Sequence, residues 1–141
     1  MSASFVLLSL MLATTPAADA ARDDGITGLW ATGSAGGQVE IYACEEGLCG
    51  RLVDADALQE DPDQRDVRNS DPDLRDRPLQ GLVVLHDFTG GPREWRGGPV
   101  YDPQSGDGAN SGQLRLREDG SLEVKGCVAF FCRTRVWTRL D

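Results

Sequence analysis

The chain is poor in the residues that do chemistry. It has one histidine, and aromatic residues make up only 6% of it. Neither G-x-S-x-G nor H-E-x-x-H occurs, so His86 stands without the nucleophile, base and orienting group that hydrolytic catalysis needs. On these grounds the chain reads as a non-enzyme. An excess of basic charge is missing too. The formal net charge is −9, whereas a nucleic-acid backbone calls for a basic footprint, so nucleic acid is not an expected partner. No apolar run reaches the roughly 20 residues that a membrane-spanning helix requires. After residue 20 no segment shows helical periodicity.

What is present begins with a short apolar run, Phe5 to Ala13. Pro16 and the small triplet Ala18-Asp19-Ala20 follow. This is the layout of a secretory signal peptide, although no Lys or Arg precedes the run. The expectation is a signal peptide over residues 1–20, cleaved near Ala20, and one domain over 21–141, periplasmic or secreted. The first cysteine is Cys44, so no lipid-modified cysteine is expected at the cleavage point.

Cys44, Cys49, Cys127 and Cys132 form two C-x-x-x-x-C pairs. In an exported chain an even count reads as disulfides. Structural zinc usually takes cysteines spaced two to four residues apart, and tetrathiolate sites suit reducing compartments, so no metal or cofactor is expected. A four-residue hairpin loop would set each pair across from one another. Cross-strand Cβ separations of about 4.5–5.5 Å approach disulfide reach. The expected bridges are Cys44–Cys49 and Cys127–Cys132.

Apolar residues recur with period two. Val39 and Ile41 alternate with Glu40 and Tyr42, Leu114 with Arg115, and Leu122 and Val124 with Glu123 and Lys125. Strands are expected near 26–32, 37–44, 48–54, 81–88, 94–102, 111–118, 121–127 and 132–139, with Gly-rich turns between them. The fold class is all-β, antiparallel, with about eight strands in a sandwich or closed barrel. Residues 55–79 break the pattern as a long, polar, acidic loop. Its carboxylates (Asp61, Asp63, Asp66, Asp71, Asp73, Asp76) do not follow the order of a calcium loop, and interleaved arginines can neutralise them. A solvated or self-paired loop is the favoured reading.

Opposed residues of a hairpin share a face. Cys44 and Cys49 then share the outer face with Glu40, Tyr42 and Arg51, while Val39, Ile41 and Leu52 point inward. Cys127 and Cys132 fall on the outer face with Glu123, Lys125 and Thr134. The inward face carries Leu122, Val124, Arg133, Arg135 and Trp137. Two readings of these arginines stand. They line a lumen and meet the anionic group of a ligand, or a bulge near Cys132 or pairing with neighbouring acids disposes of them. The second is the more ordinary, because Arg is rarely buried and bulges are common at barrel rims.

These residues match a pattern. Gly28-Leu29-Trp30, Val39-Glu40-Ile41-Tyr42, Cys49-Gly50-Arg51-Leu52, Asp66-x-x-Asn69, Asp71-Pro72, Arg75, Arg77-Pro78-Leu79, Trp95, Gly97-Gly98, Tyr101-Asp102-Pro103 and Trp137-Thr138-Arg139 occur in order. Together they resemble the bacterial exported family called domain of unknown function 2147. The resemblance implies a calycin-type, lipocalin-like up-and-down barrel without an assigned activity. The chain departs from the family after Pro103, where Gly106 to Gly112 replaces a segment ending in tyrosine. In such a barrel the first and last strands pair, which brings Trp30 to Arg139. A guanidinium over the indole would close the seam and contribute about 0.5–2 kcal/mol.

The first functional expectation is an exported protein that binds a small apolar or anionic amphiphile. Trp30, Phe88, Trp95, Tyr101, Arg135 and Trp137 are the candidate ligand-binding residues. The alternative is a protein-interaction module of the cell envelope, using the acidic loop and the hairpin tip 128–131, where Phe130 and Phe131 are adjacent.

Overall fold

The structure, a computed structural model, describes residues 25–140. The expected signal peptide, residues 1–20, lies outside them. The strands are β1 (Gly28–Ala31), β2 (Gln38–Cys44), β3 (Gly47–Asp54), β4 (Val83–Gly90), β5 (Glu94–Arg96), β6 (Val100–Asp102), β7 (Asp107–Ala109), β8 (Ser111–Leu116), β9 (Leu122–Val128) and β10 (Phe131–Arg139). Every pairing is antiparallel. Eight strands follow one another in the order β3-β2-β1-β10-β9-β8-β5-β4, and a β3–β4 pairing closes the ring. The fold is therefore an up-and-down barrel with no free edge in its closed wall. The β6–β7 hairpin is an addition, joined to β4 where Leu85 faces Val100.

The run 94–102 and the segment 55–79 differ from the sequence expectation. The run 94–102 is not one strand. Gly97, at φ +92°, and Gly98 interrupt it. A Cβ on Gly98 would lie 2.1 Å from the His86 carbonyl oxygen and 2.4 Å from the Phe88 ring, so the backbone here crosses directly over β4. The segment 55–79 is also more structured than a plain loop. It holds a short helix, α1 (Asp56–Glu60), and a 3-10 turn over Pro72–Leu74. One helical turn is too short to show a period of 3.6.

Inward-facing residues build the core: Trp30, Val39, Ile41, Leu52, Val84, Leu85, Phe88, Trp95, Leu114, Leu122, Val124 and Trp137 are all buried. They stand at alternate positions except on β4, where Val84 and Leu85 are adjacent and the pairing with β3 is irregular. The seam closes where Trp30 pairs with Arg139. The guanidinium lies over the indole, 4.4 Å from the ring centroid, and donates to the Thr27 carbonyl oxygen. The indole N–H donates to the Ile26 carbonyl oxygen at 2.8 Å, which satisfies the one polar atom of a fully buried ring.

Alternation of direction around the ring sorts the connections between two ends. The turns at Glu45-Glu46, Gly91-Pro92 and Asp119-Gly120 lie at one end, where Trp30, Phe88 and Trp95 fill the barrel. The β1–β2 loop, segment 55–79, the β6–β7 hairpin and the β9–β10 turn lie at the other. Both expected disulfides are present, Cys44–Cys49 at the filled end and Cys127–Cys132 at the opposite end. Each spans a turn of two residues rather than four. Cys127 therefore faces Cys132 directly, whereas Cys49 faces Tyr42 and meets Cys44 diagonally.

Candidate functional site

The end opposite the aromatic plug opens into a cavity of about 740 Å³. Small-molecule pockets range over about 300–1,000 Å³. Val39 of β2, Leu52 of β3, Val84 of β4, Val124 of β9 and Trp137 of β10 supply its apolar depth. Val39, Leu52, Val124 and Trp137 are inward positions that period-two alternation selects. Gly126 of β9 keeps the wall thin. A Cβ there would come within 2.9 Å of the Ala109 Cβ.

Arg133 and Arg135 stand above this apolar depth. The β9–β10 register runs without a bulge, with Arg133 opposite Gly126, Arg135 opposite Val124 and Trp137 opposite Leu122. Both arginines therefore share the inward face with Trp137 and line the cavity. They are solvent-exposed, because they sit where the barrel opens. Hydration at the mouth removes the cost that a sealed lumen would impose on a cation. Neither guanidinium makes an ion pair or hydrogen bond with another described residue. Arg65 and Arg68 also line the mouth, and both are engaged, with the Asp76 and Gln104 carbonyl oxygens respectively.

Segment 55–79 forms the opposite lip, held by a buried polar cluster. Asp66 accepts hydrogen bonds from Arg77 Nη2 (2.8 Å), Asn69 Nδ2 (2.9 Å) and the Tyr101 hydroxyl of β6. Its carboxylate is fully buried, while the Arg77 side chain keeps 35% exposure. Arg77 also lies over the Tyr101 ring, 5.6 Å from the centroid. Burial of the phenol, and then its hydrogen bond to Asp66, push the Tyr101 pKa well above the ordinary value. Gly106, at φ +80°, turns the β6–β7 hairpin against the same segment. A Cβ there would lie 1.7 Å from the Arg68 carbonyl oxygen. Asp61 and Asp71 each accept from a backbone N–H two residues on, so these carboxylates shape local turns.

The six candidate ligand-binding residues divide into two sets. Tyr101, Arg135 and Trp137 line the cavity. Trp30, Phe88 and Trp95 do not; they are buried in the plug at the filled end. Inward alternation tells which face a residue takes, not how deep it lies along the barrel, so it does not separate the two sets. Arg133, Val39, Leu52 and Val84 also line the cavity. Alternation points Arg133, Val39 and Leu52 inward, whereas Val84 lies in the unbroken apolar run Leu82–Leu85, which shows no face. His86 is exposed on β4, and its ring makes no hydrogen bond with a described residue. Among the described residues, Cys44, Cys49 and Asp87 bring three possible metal-ligand atoms together, but the two sulfurs are bonded to each other.

Residues 28–139 match the bacterial family described as "Uncharacterized protein conserved in bacteria (DUF2147)". The chain belongs to this family. Among solved structures it is similar to HP1028 from the human pathogen Helicobacter pylori, which is described as belonging to the lipocalin family. The TM-score is 0.62 at 23% identity, over 74% of this chain and 73% of that one. At that identity the likeness concerns the fold, which is lipocalin-like. No curated protein matches.

Proposed function

We propose that this is an exported, non-enzymatic protein that holds one small anionic amphiphile in its barrel. The observation that carries the reading is the pair Arg133 and Arg135, without side-chain partners among the described residues, above an apolar cavity in a chain of formal charge −9. In so acidic a protein the carboxylates outnumber the basic groups, yet neither guanidinium is paired with another described residue at the cavity mouth. A carboxylate or phosphate headgroup would supply the charge-assisted hydrogen bonds they lack. An apolar tail would occupy the depth between Val39, Leu52, Val84 and Trp137. The lipocalin-like fold supports the same reading, since an eight-stranded barrel has room for one small ligand.

Native mass spectrometry of the protein purified from its own periplasm tests this. A retained adduct of a few hundred daltons is expected, and it should fall away in an Arg133→Gln, Arg135→Gln variant. A bare mass for the wild type contradicts tight binding.

The interaction-module reading divides. Segment 55–79 is tied to the barrel through Asp66 and Tyr101. The tip of the β9–β10 turn, however, carries Phe130 at 99% and Phe131 at 83% exposure. The cavity alone does not account for it.

A further inference from the structure

The β9–β10 turn has the composition of a membrane-contacting loop. Val128, Ala129, Phe130 and Phe131 contain no charge, and Val128 is 52% exposed beside the two phenylalanines. Ala129 holds a left-handed backbone, φ +53°, where Gly or Asn is usual. The Cys127–Cys132 disulfide closes the turn at its base, so the tip is a rigid apolar wedge. Two exposed phenylalanines in a row are costly in water unless something covers them.

The charges around the tip indicate what does. The nearest basic residues on the same two strands are Lys125, Arg133 and Arg135, and no acid occurs between Lys125 and Arg135. In the closed ring the β9–β10 turn lies diametrically across from the β3–β4 connection, which is the acidic segment 55–79. Segment 55–79 carries eight carboxylates against four arginines, so an apolar, cationic lip stands across from a segment of net negative charge, whose mouth-lining charged residues are Arg65 and Arg68. A surface that attracts the first lip and repels the second is apolar inside and negatively charged outside. We propose that the β9–β10 turn docks on an anionic lipid bilayer, with Phe130 and Phe131 among the acyl chains and Lys125, Arg133 and Arg135 at the headgroups. Val128 and Phe131 also line the cavity, so the wedge joins the bilayer to the cavity by a continuous apolar wall.

Flotation of the purified protein with two kinds of vesicle tests the docking. One is equimolar phosphatidylglycerol and phosphatidylethanolamine; the other is phosphatidylcholine alone. The wild type should float with the anionic vesicles and much less with the neutral ones. Phe130→Ser should reduce that binding about tenfold or more, the scale expected for losing one buried phenyl ring. Lys125→Gln and added salt should each reduce it several-fold.

Phe130 contributes nothing to the core or the cavity lining, so Phe130→Ser should melt like the wild type and bind cis-parinaric acid in vesicle-free solution as the wild type does. Phe130→Trp should restore flotation, with a blue shift of emission on adding anionic vesicles. Wild type that stays at the bottom of the gradient overturns the proposal and leaves the tip to a protein partner. Equal flotation of Phe130→Ser and wild type overturns it as well. Because cis-parinaric acid binding is read without vesicles, failure of the docking is separable from failure of the ligand reading.

Discussion

The Tyr101 hydroxyl donates a hydrogen bond to the Asp66 carboxylate, across 35 residues of sequence and between two separate parts of the cavity mouth. Asp66 lies in the acidic segment after β3, and Tyr101 in the small hairpin after β5. Arg77 and Asn69 complete the carboxylate's partners. This one buried anion turns a polar segment of 25 residues (positions 55–79) into a fixed lip of the cavity.

Removing the carboxylate should cost more than removing the phenol. Asp66→Ala leaves Arg77 and Tyr101 without their acceptor, and breaking a buried pair costs about 3–5 kcal/mol. About 3 kcal/mol is expected, the low end, because part of Arg77 reaches solvent. Tyr101→Phe leaves the ion pair intact and should cost about 1–2 kcal/mol. Urea denaturation monitored by tryptophan fluorescence checks both. Equal costs would mean that the pair with Arg77 contributes little.

The same contact gives a pH dependence at the alkaline end. The Tyr101 pKa is raised above its ordinary value of 10.0, by burial first and then by Asp66. Above that value the unfolded chain loses this proton while the folded chain keeps it. The native state then binds more protons than the unfolded state, so stability falls as pH rises. The contribution is complete below about pH 10 and is lost as pH climbs toward the folded-state pKa. Stability measured across that range should decline less steeply in Tyr101→Phe. Parallel profiles for wild type and variant would contradict the assignment.

At the barrel seam, Arg139→Met should lose the stacking on Trp30 and the hydrogen bond to Thr27. The expected cost is about 1–2 kcal/mol. Arg139→Lys should recover only part of it, because an ammonium lacks the flat face that stacks. The denaturation midpoint reads both, and full rescue by lysine would argue for charge alone.

The strand faces were legible in the sequence because period two and the turns between cysteines point the same way. Cys127 facing Cys132 puts Arg133, Arg135 and Trp137 inward, and the structure has that register. The arginines themselves left a choice that sequence could not make. An inward arginine looks costly until one knows that its strand position is at the open end. Depth along the barrel was equally hidden, which is why Trp30, Phe88 and Trp95 stood beside Tyr101 and Trp137 as candidates. The break at Gly97-Gly98 depends on Phe88 and His86 passing beneath it, a contact across strands. Asp66 is one of seven aspartates in segment 55–79. The signal that could have singled it out was the family pattern itself, since Asp66, Asn69, Arg77 and Tyr101 all belong to the matching motifs.

In the proposed function, Arg133 and Arg135 recognise an anionic headgroup above an apolar cavity. Fluorescence titration with cis-parinaric acid and with its methyl ester tests it most directly, because the two probes share a tail and differ in charge. The wild type should bind the acid about tenfold or more tightly than the ester, as one or two charge-assisted hydrogen bonds would give. The Arg133→Gln, Arg135→Gln variant should bind both alike, at the affinity of the ester. Equal binding of acid and ester by the wild type, or binding of neither, would contradict the account.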